Sequence, residues 1–215
     1  MSLKKLILES YLKKEENFKQ TNDHEIWVSH LTECQYKRKL DEERKGTGDF
    51  NYFPLIRGVL LHKGIQETLR NEVAEVEKKV SYPVSNYVVN GSVDVVLKDG
   101  TPVEIKTVHR LFMPVYPEHL FQLQVYMFML KAERGYLVYV LDNDIKEVTV
   151  TKEGQVTVDD GTVLLPVVPM SHQLLKHAVR QYIHGDRIHP FDECKRCIYR
   201  NICPYSLAKD LNSSN

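Results

Sequence analysis

The sequence predicts an α/β fold in which helices layer against a central, mixed β-sheet within one domain. Hydrophobic residues recur at helical spacing, then at every second position, in the order helices, strands, helix, strands, helix. The chain has 215 residues, a length typical of one domain. Its 42% hydrophobic and 27% charged residues supply a single core and indicate neither disorder nor a coiled coil.

Three helices are expected before the first strand. The first has apolar residues along one side, at Leu3, Leu6, Ile7 and Tyr11. The second has Ser29 as its predicted N-cap and runs through Leu31, Cys34 and Leu40. The third carries Pro54 in its first turn, ends near Asn71 and places His62 in its middle.

The central part of the chain changes to the strand period of two. An antiparallel meander is predicted, with breaks at Asn90-Gly91 and Asp99-Gly100 and strands over 76–84, 87–89, 92–97 and 101–108. A helix is then expected over 117–133, stopped at Gly135, with further strands over 136–141 and 146–151. The last predicted helix, over 172–184, is capped by Ser171 and stopped by Gly185.

Charge and hydropathy exclude several classes of protein. The 29 Lys and Arg residues balance 29 Asp and Glu residues, which excludes a protein that coats nucleic acid through bulk electrostatics. Residues 170–205 carry six Lys or Arg against three acidic residues, which predicts either a local basic face or an ordinary solvated surface. No apolar run approaches the roughly 20 residues that span a bilayer, and no secretory segment is evident, so a cytoplasmic protein without a membrane partner is expected.

The hairpin around Asp99-Gly100 carries the strongest chemical signal. If Lys98-Asp99-Gly100 is a three-residue loop with Gly100 in the left-handed conformation, Asp94 lies opposite Glu104; a two-residue loop would put them on opposite faces. We predict the three-residue loop. Two facing carboxylates are unfavourable unless a cation lies between them, and Lys106 shares their face. The alternative is a solvent-facing hairpin with a Glu/Lys pair.

Asp94 followed by Glu104-Ile105-Lys106 resembles the core motif of the PD-(D/E)xK nucleases. The flanking motifs Arg57-Gly58-x3-His62 and Gln122-x3-Tyr126 resemble those of the RecB-like subgroup. The resemblance implies that Asp94, Glu104, His62 and the Ile105 carbonyl bind Mg²⁺ or Mn²⁺, that Lys106 assists catalysis, and that Gln122 and Tyr126 orient the DNA strand. An imidazole ligand favours Mn²⁺. Taken alone, a histidine such as His62 is more often an ordinary, partly buried residue than a metal ligand. Gln122 and Tyr126, taken alone, are equally well explained as a hydrogen-bonded core pair.

The four cysteines form one pattern, Cys34 and then Cys194-x2-Cys197-x5-Cys203-Pro204. In a chain without a secretory signal, metal ligation is a better interpretation than disulfides. Four thiolates suit either Zn²⁺ or an iron–sulfur cluster. The split spacing resembles the iron–sulfur nucleases of the AddB type and the CRISPR-associated RecB-like exonucleases, which implies an iron–sulfur cluster, [4Fe–4S] in preference to [2Fe–2S].

Together, residues from about 25 to 205 resemble the CRISPR-associated RecB-like four-cysteine exonuclease family. The resemblance implies one nuclease domain over 1–215, with a helical segment over 1–50, a core over 51–190 and a cysteine tail over 191–215. It implies a metal-dependent DNA exonuclease that acts on single-stranded DNA or overhangs and trims spacer precursors for the CRISPR integrase complex. Two alternatives stay open: a RecB-like repair or viral nuclease, and a non-catalytic, metal-stapled DNA-binding module.

Overall fold

A computed structural model describes residues 24–44, 53–186, 194 and 197–207, and the predicted helix at the N-terminus lies outside them. The strands are β1 (Glu25–Trp27), β2 (Val73–Val84), β3 (Tyr87–Leu97), β4 (Pro102–Thr107), β5 (Arg134–Val140), β6 (Ile145–Thr151) and β7 (Val156–Val158). The helices are α1 (Val28–Thr32), α2 (Gln35–Arg44), α3 (Phe53–Thr68), α4 (Pro117–Leu130) and α5 (His172–Ile183). Within these ranges, no helix combines the length and hydropathy needed to cross a membrane.

The seven strands form one mixed sheet, which confirms the predicted fold class. The order is β1-β3-β4-β5-β6-β7, and β2 pairs with the other edge of β3. The strands from β2 to β4 form the predicted antiparallel meander. β5 runs parallel to β4, because α4 crosses over the sheet between them. β1 and β4 pair with the same edge of β3, at 88–90 and at 95–96, and so leave 91–94 between them on that edge.

The N-terminal part differs from the prediction in two ways. The short strand β1, which has only three residues, was not predicted. The helix expected from Ser29 is two helices: α1 has Trp27 as its N-cap, and the backbone turns extended at Glu33. Cys34 therefore lies between α1 and α2 and not within a helix.

Two glycines were assigned to breaks that the structure does not contain. β3 is continuous through Asn90-Gly91, because β2 pairs with both residues. α4 ends at Leu130, where Lys131 adopts the left-handed conformation (φ 55°), whereas Gly135 lies in β5. α3 likewise ends at Thr68, before the predicted Asn71, and β7 was not predicted. At the C-terminal helix the predicted cap is confirmed, since Ser171 Oγ accepts a hydrogen bond from the Leu174 N–H at 3.3 Å.

The predicted three-residue loop between β3 and β4 is confirmed. Gly100 has φ 84°, and the Leu97 N–H donates to the Thr101 carbonyl at 3.0 Å. Val95 pairs with Val103 and Val96 with Pro102, and the same register sets Asp94 opposite Glu104. The turn therefore places both carboxylates at the same level of the sheet.

α3 and α4 cover opposite faces of β4. Val103 and Ile105 pack with Leu61 and Ile65 of α3 in one apolar cluster. Because side chains alternate along a strand, Glu104 and Lys106 point to the other face, where α4 lies. α4 is held in place by two larger apolar clusters, to both of which it contributes side chains.

Candidate active site

β3 and β4 diverge at Asp94, and the carboxylate of Asp94 bridges the gap. Its Oδ2 accepts a hydrogen bond from the Ile105 N–H at 2.8 Å, in place of a backbone partner. Asp94 is buried, with 8% of its surface exposed. This bond fixes the carboxylate beside the backbone of β4. The second oxygen, Oδ1, takes no part in it.

Glu104 is a buried carboxylate with one unsatisfied oxygen. Its Oε1 accepts a hydrogen bond from Lys106 Nζ at 2.8 Å, whereas its Oε2 makes no hydrogen bond to any described residue. The residue is only 2% exposed. Burial, together with the charge of Asp94, raises the pKa of Glu104 to about 8. The site therefore contains a buried carboxylate oxygen for which the described residues provide no partner.

Lys106 links the carboxylates to α4. Its Nζ donates to Glu104 and also to Gln122 Oε1, each at 2.8 Å. Burial alone would lower the pKa of Lys106, but the charges of Glu104 and Asp94 raise it above its ordinary value, so the ammonium stays charged. Gln122 Nε2 in turn donates to Tyr126 Oη at 3.2 Å.

Gly91 explains how Tyr126 reaches this position. A Cβ on Gly91 would lie 2.5 Å from Tyr126 Cε1, so the ring lies directly on the backbone of β3. Burial raises the pKa of Tyr126 further above its ordinary range, and its hydroxyl stays protonated. Gln122 and Tyr126 are thus hydrogen-bonded to each other, and Gln122 also accepts a hydrogen bond from Lys106.

His62 approaches from α3 on the other side of Asp94. Its Nδ1 lies 3.7 Å from Asp94 Oδ1, longer than a hydrogen bond. Burial lowers the pKa of His62, but Asp94 raises it by more, so the net pKa is above the ordinary value. The predicted residues are therefore gathered at one place in the structure: His62, Asp94, Glu104, Ile105, Lys106, Gln122 and Tyr126.

The chemistry of these residues suits a divalent cation. Carboxylate and carbonyl oxygens with one imidazole nitrogen are donors that Mg²⁺ and Mn²⁺ accept, and the unsatisfied Glu104 Oε2 lies among them. Among the residues that the structure describes, no three His, Cys, Asp or Glu side chains are grouped closely enough to hold a metal ion as they stand. The donor types fit a divalent cation. In this structure Lys106 Nζ donates a hydrogen bond to Glu104 Oε1, one of the oxygens that would bind the ion.

Two neighbouring residues, Gln66 and Glu77, were missed in the sequence. Gln66 Nε2 donates to the main-chain carbonyl of Asp94 and to Glu77 Oε1, each at 3.0 Å. Gln66 follows His62 by four residues, so both share one side of α3, and this spacing was the available signal. Glu77 carried no signal, because a glutamate in a strand with several charged neighbours is ordinary.

The four cysteines line one small cavity, together with residues of α2 and the C-terminal tail. No disulfide joins them, and Cys34, Cys194 and Cys203 are buried. α2 and the tail also contact each other: Tyr199 Oη donates to Asp41 Oδ1 at 2.7 Å, and the rings of Tyr36 and Tyr205 meet edge to face. The two parts of the cysteine pattern, far apart in sequence, are adjacent in space.

Known proteins resemble this chain in sequence and in fold. A sequence profile of the PD-(D/E)XK nuclease superfamily matches residues 7–204. The CRISPR-associated exonuclease Cas4 of Saccharolobus solfataricus is 27% identical over 217 residues, which cover 94% of this chain and 100% of the relative. The crystal structure of SSO0001 superposes with a TM-score of 0.73 at 25% identity, covering 96% of this chain and 98% of that one. An alkaline exonuclease from Laribacter hongkongensis aligns with a TM-score of 0.44 at 15% identity, covering 83% and 95%.

Proposed function

Since the chain belongs to the PD-(D/E)XK nuclease superfamily, we propose that it is a metal-dependent DNA exonuclease acting on single-stranded DNA or overhangs. One observation carries the proposal. Asp94 and Glu104 lie level with each other where β3 and β4 diverge, Lys106 contacts Glu104, and Glu104 Oε2 is buried without a hydrogen-bond partner among the described residues. An inert surface hairpin would leave these groups in solvent.

His62, Asp94, Glu104 and the Ile105 carbonyl would hold Mg²⁺ or Mn²⁺, which polarises a phosphate and lowers the pKa of bound water. Glu104 must give up its proton to bind the ion, because burial keeps its pKa near 8. Lys106, released from Glu104, stabilises the negative charge that develops on the attacked phosphate. Gln122 holds the Lys106 ammonium in place, and Tyr126 holds Gln122.

The cysteine cavity is proposed to hold an iron–sulfur cluster, [4Fe–4S] in preference to [2Fe–2S]. The support is chemical: four thiols line the cavity, and among the described residues no other His, Cys, Asp or Glu side chain lines it. The cluster would tie α2 to the tail and so hold the N-terminal segment in place. Iron, acid-labile sulfide and zinc analysis of the purified protein separates a cluster from a Zn²⁺ site.

The relative that covers nearly the whole chain is a CRISPR-associated exonuclease. On that basis we propose that this chain trims precursors of new CRISPR spacers and hands them to the integrase complex. A RecB-like repair or viral nuclease would use the same site on other substrates. Co-purification of the chain with the integrase, followed by cleavage of overhangs on an integrase-bound duplex, tests the CRISPR assignment.

The activity is tested with end-labelled single-stranded DNA and duplexes with overhangs, in Mn²⁺, Mg²⁺ or EDTA. Wild type is compared with Glu104→Ala and with Glu133→Ala, which changes an exposed glutamate paired with Lys152. We expect metal-dependent cleavage by wild type and by Glu133→Ala, none by Glu104→Ala, and DNA binding by all three. Binding without cleavage by a cluster-containing wild type would favour the DNA-binding module instead.

A further inference from the structure

Glu77 has a backbone conformation that its residue type rarely adopts. It lies within β2 at φ 51°, in the left-handed region. Val76 pairs with Val95 and Lys78 with Val93, so Glu77 lies opposite Asp94 in the register of β2 and β3. A non-glycine residue in this region costs on the order of 1 kcal/mol, and such residues concentrate at functional sites.

The side chain of Glu77 makes two hydrogen bonds towards the site. Its Oε1 accepts from Gln66 Nε2 and its Oε2 accepts from Ser92 Oγ, each at 3.0 Å. The same Gln66 nitrogen donates to the main-chain carbonyl of Asp94 at 3.0 Å. One amide of α3 is therefore shared between a strained residue of β2 and the backbone of Asp94.

We propose that Glu77, through Gln66, is a positioning residue that holds α3 on β3 so that His62 faces Asp94. The inference rests on the proposed function, in which His62 and Asp94 share a divalent cation. Gln66 lies one helical turn beyond His62, so fixing Gln66 fixes the height and rotation of that turn. This part of α3 also packs through Leu61 and Ile65 in an apolar cluster, and apolar packing restricts rotation less than two directional hydrogen bonds do.

The test separates positioning from local strain. Glu77→Gly removes the carboxylate and also relieves the left-handed backbone, so its melting temperature should equal or exceed that of wild type. Ser85→Gly is the matched control. Ser85, in the turn between β2 and β3, has φ 54°, so its replacement by glycine relieves the same kind of backbone strain. We expect about tenfold weaker Mn²⁺ binding in Glu77→Gly, measured by electron paramagnetic resonance titration, and no change in Ser85→Gly.

Two further variants test the route through Gln66. Gln66→Met keeps the length and helix propensity of the side chain but cannot donate, so it should weaken Mn²⁺ binding by a similar factor. The double variant with Glu77→Gly should be no weaker than either single variant, because both remove the same connection. Glu77→Gln retains an acceptor for Gln66 and should bind Mn²⁺ as wild type does.

Each outcome decides the proposal. Equal Mn²⁺ affinity in wild type and Glu77→Gly, or additive losses in the double variant, would overturn it, as would a wild type that binds no Mn²⁺. Weaker Mn²⁺ binding in Glu77→Gly and Gln66→Met without lower melting temperatures supports it. DNA cleavage is scored separately: if these binding differences occur in a protein that cleaves no DNA, the nuclease assignment fails while the positioning role stands.

Discussion

Replacing Glu104 by glutamine should stabilise the protein at alkaline pH while it abolishes activity. The buried carboxyl has an ordinary pKa of 4.5 and a pKa of about 8 in the folded protein. Between these values the folded protein keeps a proton that the unfolded chain has released. The free energy of unfolding contributed by Glu104 therefore falls as pH rises, from its full value below pH 4.5 until the carboxyl ionises near pH 8.

The expected size follows from the same two values. Between about pH 5.5 and pH 8 the wild type should lose about 3 kcal/mol of stability through this one group. Glu104→Gln has no proton to lose and keeps nearly the same shape, so Lys106 still has an oxygen to donate to. For a domain of this size, 3 kcal/mol corresponds to about 6–12 °C in melting temperature.

The assay is thermal melting of both proteins, in EDTA, at several pH values across that range. The melting temperature of Glu104→Gln minus that of wild type should grow by about 6–12 °C as pH rises. The pKa of His30, lowered to about 4 by burial, acts in the opposite direction, but it is present in both proteins and cancels in the difference. Parallel pH profiles for the two proteins would refute the reasoning, because they would mean that Glu104 ionises in the folded protein as it does in water.

Four other substitutions test the packing and the cysteine cavity. Gly135→Ala should cost about 2 kcal/mol, because its Cβ would lie 2.9 Å from side-chain atoms of α4, whereas Gly64→Ala, in open space on α3, should raise the melting temperature slightly. Gly91→Ala pushes the Tyr126 ring away, so at saturating Mn²⁺ its kcat should fall even where calorimetry shows a folded protein; an unchanged kcat would contradict a role for Tyr126. Cys34→Ala should give a colourless and poorly soluble protein, and a soluble, colourless variant with an unchanged melting temperature would argue against a structural cluster.

The hairpin shows what local sequence can determine. Gly100 selects the three-residue loop, and the loop alone fixes which residues of β3 and β4 face each other. Asp94 and Glu104 could therefore be paired from the sequence. The helix positions of His62, Gln122 and Tyr126 followed from periodicity in the same way, because each lies well inside a long element.

The errors lie where a distant part of the chain determines the local structure. Gly91 is a turn signal by itself, but in the protein it makes room for a ring from α4. Gly135 likewise lies under α4 and not at its end. Glu77 could not be identified at all, since its importance depends on contacts with Gln66 and Ser92 and on a backbone angle that no sequence pattern indicates.

The cavity that collects Cys34 with Cys194, Cys197 and Cys203 also sets an order of events during synthesis. A ribosome adds about 5–20 residues each second, so about 8–35 s pass between the synthesis of Cys34 and that of Cys203. For most of that interval the first thiol lacks the other three cysteines that line its cavity. The cavity can therefore form only after nearly the whole chain has been translated. A fragment released earlier would keep an unprotected cysteine that oxidants can reach.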